Sequence, residues 1–534
     1  MRSGVVAASL ADAVVPCDFS EAEKPVFRAL MEARNRFGDS TAILVDGDES
    51  VMSYGEIVRA ALALGHALKK GTRRGEAVGI MLPTGIGAVV AFLALSAYGR
   101  VPAMLNFTAG AASLKSSLRT AQVKRVVTAH RFIDLGKFEG LVSELQEAAE
   151  IVYLDDVRED LGFADKGAAA LGQYLPWLVL ARTPHHAPAV ILFTSGTEGE
   201  PKGVALSHFN LLANVLQMRS HIELSATDVM FNPLPTFHSM GLTSGVLMPL
   251  LLGMKTVLHP TPLQPREIVN RVRAKGATML LSTDTFITQY ARAGQPGDLN
   301  SLRFAVCGAE RLRDETRALL RQKYGVELLE GYGVTEASPV VAANKIGVTR
   351  PGAIGPLVQG MEARLEPVEG IAGAGRLFLR GPNIMLGYIT PDEPGVIQVP
   401  KEGWHDTGDV VSIDDDGTIA FQGRLKRFAK IGGETVSLAV VESCASALWP
   451  SHRHAAIAIP DGRKGEQIVL VTTCNNAERA DLALWAHDNG VQKLAVPRRI
   501  LVVDEIPVLG TGKTAYTTVK TMVEENVLAN GGQP

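Results

Sequence analysis

The 534-residue chain exceeds the length at which a single hydrophobic core keeps growing, so several domains are expected. Its 46% apolar and 20% charged residues are ordinary for a folded globular protein and exclude a disordered or fibrous one. A formal charge of −3 gives no overall pull toward nucleic acid or anionic membrane and leaves only local basic patches open.

In chain order, the start carries a faint signal-peptide texture, but Asp12 interrupts the apolar run early, which argues against secretion. Cys17, Cys307, Cys444 and Cys474 are scattered without metal-ligand spacing, a usage that fits the reducing cytoplasm. Ser53-Tyr-Gly-Glu56 has capping-box spacing and predicts a helix through Leu68. A strand over Ala77–Leu82, a helix over Gly87–Tyr98, a strand over Val101–Leu105, a helix from about Gly110 and a strand over Arg125–Thr128 follow. That alternation predicts a parallel sheet flanked by helices. The most apolar stretches, Ile86–Tyr98 and Met240–Leu251, are shorter than the ~20 residues a spanning helix needs. Peripheral membrane contact stays open.

A second round begins with the strand Ala189–Phe193, whose loop ends at Ser207, the N-cap of a helix presenting Leu211, Val215 and Met218 on one face. Met279–Ser282, Phe304–Cys307 and Val326–Leu329 read as further strands. From Gly352 to Gly423 short apolar runs (Arg376–Leu379, Val410–Ile413, Thr418–Gln422) broken by Gly, Pro and Asp predict small antiparallel sheets or a barrel. After Arg424 the texture changes to a compact α+β segment.

The loop Thr194-Ser-Gly-Thr-Glu-Gly-Glu-Pro-Lys-Gly203 has small residues that let backbone N–H groups close on phosphate oxygens, hydroxyls as extra donors, and a cation in Lys202. It fails the Walker pattern, because Pro201 stands where the second Gly belongs and Gly203 where the metal-binding hydroxyl belongs. Gly512-Lys513-Thr514 fails too, with Pro507 at the first Gly position. Alone, such a loop is as readily a plain turn.

Its company changes the reading. The phosphate loop, Gly331-Tyr-Gly-Val-Thr-Glu336, Trp404-His-Asp-Thr-Gly-Asp409, Gly423-Arg424 and Gly512-Lys513 occur in that order. This set resembles the adenylate-forming superfamily of acyl-CoA synthetases, luciferases and peptide-synthetase adenylation domains, over nearly the whole chain.

The resemblance implies an α/β fold. A large N-terminal body over 1–425, with flanked parallel-type sheets and a small β-barrel-like part at about 352–423, would precede a mobile C-terminal α+β lid over 426–534. It also implies that Thr194, Ser195, Gly196, Thr197, Gly199 and Lys202 hold the β- and γ-phosphates of ATP. Tyr332 would stack on adenine beside the backbone of Gly308, Ala309 and Glu310. Thr335 would bond the α-phosphate, Glu336 would bind Mg²⁺, and Asp409 and Arg424 would hold the ribose, with Asp406 as a turn-stabilising neighbour. His238, in Leu234-Pro-Thr-Phe-His-Ser-Met-Gly241, would orient the carboxylate, a core histidine being the competing reading. Lys513 would stabilise charge as the carboxylate attacks the α-phosphate. The lid would then rotate about Lys426 and bring Gly432-Gly433 to the pantetheine arm.

Glu198 in the phosphate loop, Lys426 at the hinge, Pro102–Gly110, Gly331–Val340 and Arg427-Phe-Ala-Lys-Ile-Gly-Gly-Glu-Thr-Val-Ser437 look closest to bacterial acyl-[acyl carrier protein] synthetases. In particular they resemble the synthetase half of the bifunctional 2-acylglycerophosphoethanolamine acyltransferase/acyl-carrier-protein synthetase. The expectation is a stand-alone cytoplasmic synthetase, or one working with a separate acyltransferase at the inner face of the membrane. Its substrate would be a fatty acid and its acceptor acyl carrier protein or, alternatively, CoA. Arg427, Lys430, Arg463, Lys464, Arg498 and Arg499 are the candidate landing face for an acidic carrier. An acyl- or aryl-CoA ligase of the same fold and a non-catalytic nucleotide-binding homologue are the competing readings.

Overall fold

The computed structural model describes residues 5–7, 15–194, 200–350, 352–431, 434–461, 465–508 and 514–529. The body is built on two eight-stranded sheets. In the first, Ala42–Val45, Lys255–Leu258, Val229–Asn232, Met279–Ser282, Phe304–Cys307 and Glu327–Gly333 lie parallel in that order, closed at the edges by antiparallel Val51–Ser53 and Val340–Ala343. These strands are buried on both faces under helices and therefore read as short continuous apolar runs.

The second sheet runs Glu150–Tyr153, Arg125–Thr128, Ala77–Ile80, Val101–Met104 and Pro188–Thr194 in parallel. Lys202–Ser207, Gly387–Thr390 and Glu393–Gln398 then continue it antiparallel. The predicted alternation is present, including the Ser53 capping box on the helix Tyr54–Leu68. Two differences stand out. Gly203–Leu206, expected to belong to a loop, forms a buried strand that turns back on Pro188–Thr194. The strands at 387–398, expected in the small β-rich part, extend this sheet instead.

The helix Ile86–Ala97 is buried from Ala88 to Ala97, which accounts for its apolar sequence as core. Among the described residues no helix is long and apolar enough to cross a membrane. The helix His208–His221 is buried on nearly every side rather than on one face. Its polar residues are hydrogen-bonded inward: Asn214 Nδ2 donates to the Val340 carbonyl at 2.9 Å and Gln217 Nε2 to the Gln359 carbonyl at 2.8 Å. Buried amides of this kind need such partners; here Asn214 holds the edge strand Val340–Ala343 of the first sheet, and Gln217 holds a loop of the small sheet.

That small sheet is antiparallel throughout, in the order Val6–Ala7, Glu362–Pro367, Gly375–Arg380, His405–Ile413, Thr418–Arg424, Gly355–Pro356. Two-residue strands end it on either side, so among the described residues it is an open sheet rather than a closed barrel. After Arg424, Phe428–Ile431, Glu434–Ser437, His454–Asp461, Gly465–Thr472 and Arg499–Val502 form a separate five-stranded sheet. The helices Leu438–Leu448, Arg479–Asp488 and Tyr516–Ala529 accompany it.

Candidate active site

A cleft of about 1870 Å³ opens where the first sheet, the small sheet and the C-terminal sheet meet. Thr194 and Lys202, the described residues on either side of the glycine-rich motif, are cross-strand partners. Thr194 lines the cleft. Ser195, Gly196, Thr197, Glu198 and Gly199 lie outside the described residues.

Tyr332 sits near the end of the strand Glu327–Gly333, where the pairing with Val340–Ala343 slips between Tyr332 and Gly333. Such a bulge re-aims a side chain. A Cβ on Gly333 would lie 2.4 Å from the Pro339 carbonyl oxygen, so only glycine fits this passage. The loop closes again where Val334 N–H donates to the Pro339 carbonyl at 3.1 Å, leaving Thr335 and Glu336 on a short pinched turn facing the cleft. Gly308, Ala309 and Glu310 bend away from the neighbouring strand Phe304–Cys307 and line the same space. Ala309 is held at φ 68°, in the left-handed region. The Glu310 carboxylate caps a helix, accepting from Thr285 N–H at 3.0 Å.

The small sheet contributes the opposite wall. Asp409 and Arg424 are cross-strand partners on His405–Ile413 and Thr418–Arg424. The Tyr332 hydroxyl donates to Asp409 Oδ2 at 2.5 Å, and Arg424 Nε lies 3.1 Å from Oδ1. The guanidinium is not aimed for a hydrogen bond, and among the described residues Oδ1 is buried with no donor. Burial pushes the Asp409 carboxyl above its ordinary value, opposed by Arg424 and by the Tyr332 hydroxyl. Burial, and next the Asp409 charge, push the Tyr332 phenol well above the ordinary tyrosine value. Asp406 serves the turn and the strand: its Oδ1 accepts from Gly408 N–H at 3.0 Å and from Arg376 Nε at 2.8 Å.

Tyr388 was not singled out from the sequence. Its hydroxyl donates to Glu336 Oε1 at 2.5 Å, and Lys202 Nζ stands 5.3 Å from the centre of its ring. Tyr388 thereby brings the acid of one motif and the cation of another to one spot, although Lys202 is not itself on the cleft wall. The only signal in the sequence was the Gly387-Tyr388 pair after an apolar run, which carries no chemistry by itself. His405 packs edge-on to Tyr388 at 6.2 Å; burial lowers its pKa, against the nearby Glu336, Asp406 and Asp409 charges.

His238 lines the cleft from the segment that follows Val229–Asn232. Two buried side chains brace that segment. Asn232 donates to the Gly241 carbonyl at 3.0 Å and accepts from Leu234 N–H at 3.1 Å. Thr84 Oγ1 donates to the Leu234 carbonyl at 2.9 Å and accepts from Thr236 N–H at 3.1 Å. Neither brace was legible from the sequence. Downstream, Met240–Leu247 winds as a wide π-type helix, a form concentrated at functional sites.

On the C-terminal side Lys426 lines the cleft, whereas Gly432, Gly433 and Lys513 lie outside the described residues, as do Arg463 and Lys464. The expectation that Arg427 belongs to a basic landing face is corrected. Its guanidinium stacks 3.5 Å from the centre of the Tyr516 ring and donates to Glu442 Oε1 at 2.7 Å, so it is committed to the helices Leu438–Leu448 and Tyr516–Ala529. Arg498 is ion-paired with Asp461, and Lys430 and Arg499 are exposed.

The profile of the family described as "AMP-binding enzyme" matches residues 30–389, more than half of the chain. The chain belongs to the AMP-binding enzyme family. It is similar to the medium-chain fatty-acid–CoA ligase of Escherichia coli (28% identical, covering 88% of this chain and 85% of the relative). It is also similar to the long-chain-fatty-acid–CoA ligase of Bacillus subtilis (26%, covering 93% and 94%). Among solved structures, an anthranilate CoA ligase in complex with anthranoyl-AMP superposes with a TM-score of 0.80 at 22% identity, covering 95% of this chain and 99% of that one. ATP-bound MatB from Rhodopseudomonas palustris superposes at 0.79 and 24%, covering 93% and 99%. At those identities the structures speak to the fold, which is shared from end to end.

In this AMP-binding enzyme, the buried and undonated Asp409 Oδ1 suits a hydroxyl donor such as a ribose. Among the described residues no group of three or more His, Cys, Asp or Glu side chains is placed to hold a metal. Glu336 alone suits Mg²⁺ bound through one carboxylate and the phosphates of a substrate.

Proposed function

We propose that this protein activates a fatty carboxylate with ATP, through an acyl-adenylate, and passes the acyl group to a pantetheine thiol. The observation that carries the reading is the Tyr332–Asp409–Arg424 cluster, with Glu336 and His238 on the same cleft. Tyr332 is the adenine platform and Asp409 Oδ1 the ribose acceptor. Thr335 and the motif Thr194–Lys202 serve the phosphates, and Glu336 would hold Mg²⁺, which would supply charge neutralisation between the phosphates. His238 orients the carboxylate, and Lys513 acts on the transition state of its attack on the α-phosphate. Residues 426–534 act as the lid, turning at Lys426 to bring Gly432 and Gly433 to the thiol. An apolar chain is favoured because Met218, Ile222, Met240, Met248 and Leu281 line the cleft.

The names of the fatty-acid–CoA ligases of E. coli and B. subtilis support CoA as the acceptor. Acyl carrier protein is the second reading, favoured by the segment Lys426–Ser437. ATP–pyrophosphate exchange that depends on added fatty acid tests the activation step. Absence of exchange across chain lengths, in protein that still binds AMP, would favour a nucleotide-binding homologue. Thioester yield with CoA against holo carrier protein then separates the two acceptors.

A further inference from the structure

The helix Phe163–Tyr174, none of whose residues lines the cleft, packs on the helix Tyr54–Leu68. Its inner face is fixed. Asp165, Ala169 and Gly172 are buried, Asp165 Oδ1 meets His66 Nδ1 at 2.7 Å, and a Cβ on Gly172 would touch Leu62 at 2.9 Å. At 100° per residue, Phe163, Gly167, Ala170, Leu171 and Tyr174 fall on the opposite side within an arc of about 100°. They are out in solvent, Phe163 at 98% and Tyr174 at 76% exposure, and the turn Pro176–Val179 adds Trp177 and Leu178 at 66% and 62%. Contiguous exposed aromatic and leucine side chains of this kind mark a contact surface.

Exposed cations rim the stripe. Lys166 stands on its shoulder, and Lys70 reaches Asp165 at 3.3 Å. Arg73 and Arg74 follow on the same loop and Arg182 flanks the turn, whereas Arg59 at the helix end is ion-paired with Asp39 at 3.8 Å. Of the acidic residues just before the helix, Asp155 and Asp156 are engaged by His130, leaving Glu159 and Asp160 at one corner. Apolar rings with a basic collar match an interface whose acyl layer is apolar and whose headgroups are negative. A second copy packed symmetrically on this stripe would bring the two basic collars together.

We propose that the helix Phe163–Tyr174 and the turn Pro176–Val179 seat the protein on an anionic phospholipid surface. Phe163, Leu171, Tyr174, Trp177 and Leu178 enter the acyl boundary, and Arg73, Arg74, Lys166 and Arg182 meet the headgroups. The test is co-sedimentation of the full chain with vesicles of phosphatidylcholine alone or in equimolar mixture with phosphatidylglycerol. Binding to the mixed vesicles that weakens with salt is expected. F163S, at a position where folding has nothing to lose, and W177S/L178S should each weaken it about tenfold or more. R73E/R74E should weaken it on the order of fivefold per residue. ATP–pyrophosphate exchange with soluble substrates and the thermal midpoint should not change. No sedimentation, sedimentation indifferent to these substitutions, or a concentration-dependent dimer that W177S/L178S disperses would overturn the proposal.

Discussion

Asp409→Asn separates a nucleotide ligand from a structural pin. Asparagine keeps the shape and one acceptor, so the Tyr332 hydroxyl can still donate. What disappears is the charge beside Arg424. The Arg424 side chain is 53% exposed, so water takes over its partner's place and the loss of fold stability stays below about 1 kcal/mol. A hydroxyl donated to the carboxylate Oδ1 contributes about 1.5–3 kcal/mol, roughly ten- to hundredfold in affinity. AMP titration by calorimetry and the ATP KM in pyrophosphate exchange should both weaken by that factor, with the thermal midpoint nearly unchanged at pH 7. The pH dependence gives a second reading. Asp409's carboxyl is raised in the folded chain, so the folded state holds its proton to higher pH than the unfolded state. Wild-type stability therefore declines as pH climbs from the unfolded value near 3.8 through the raised one, and Asp409→Asn abolishes that decline. Nucleotide affinity within threefold of wild type, together with a midpoint lowered by several degrees, would refute the assignment and leave Asp409 as a brace for Tyr332.

Tyr388→Phe keeps the ring under Lys202 but frees Glu336; exchange activity should fall about tenfold, with a higher Mg²⁺ requirement in a metal titration at fixed ATP. In His259, Nδ1 meets Arg271 Nη1 at 2.9 Å, and since arginine only donates, that ring must be neutral there. Burial and then Arg271 lower its pKa to about 4. The unfolded chain takes up this proton below about 6.5, so stability falls as pH drops through the window between the two values. His259→Asn, retaining an acceptor, should remove up to about 3 kcal/mol of that loss in denaturant melts. Arg427→Met leaves Glu442 half-buried without its cation and should cost about 2–3 kcal/mol in the C-terminal sheet. Arg427→Lys should restore little, because the stacked planar fork is lost; both are read by hydrogen exchange at Ala456 and Ala429.

Local signals were the legible ones. The capping box at Ser53, the N-cap at Ser207 and the apolar runs at 125–128, 279–282 and 304–307 depend on neighbours in sequence, and the helices and strands begin and end there. Gly203–Leu206 was opaque because a strand buried on both faces lacks the polar alternation that separates strand from loop. Asn214 and Gln217 went unnamed beside the apolar face of Leu211, Val215 and Met218, because their partners arrive from about 126 and 142 residues away, a distance no periodicity reports. Within the cleft, ordered motifs named Tyr332, Glu336, Asp409 and Arg424, but Tyr388, Asn232 and Thr84 act through contacts formed only once sheets pack. Arg427 shows the converse: its charge is plain in sequence, and its burial against Tyr516 is not.

The hydrogen bond from Tyr332 to Asp409 crosses from the large parallel sheet to the small antiparallel one. On the proposed reading, a nucleotide resting on the first residue and bonded to the second would span the same seam, beside the backbone bonds that already tie Val341 to Val358 and Ala342 to Leu357. Ligand occupancy therefore changes more than one pocket. It turns a boundary between two packed units into a shared one, and protease nicking at that junction becomes a report of whether the site is filled.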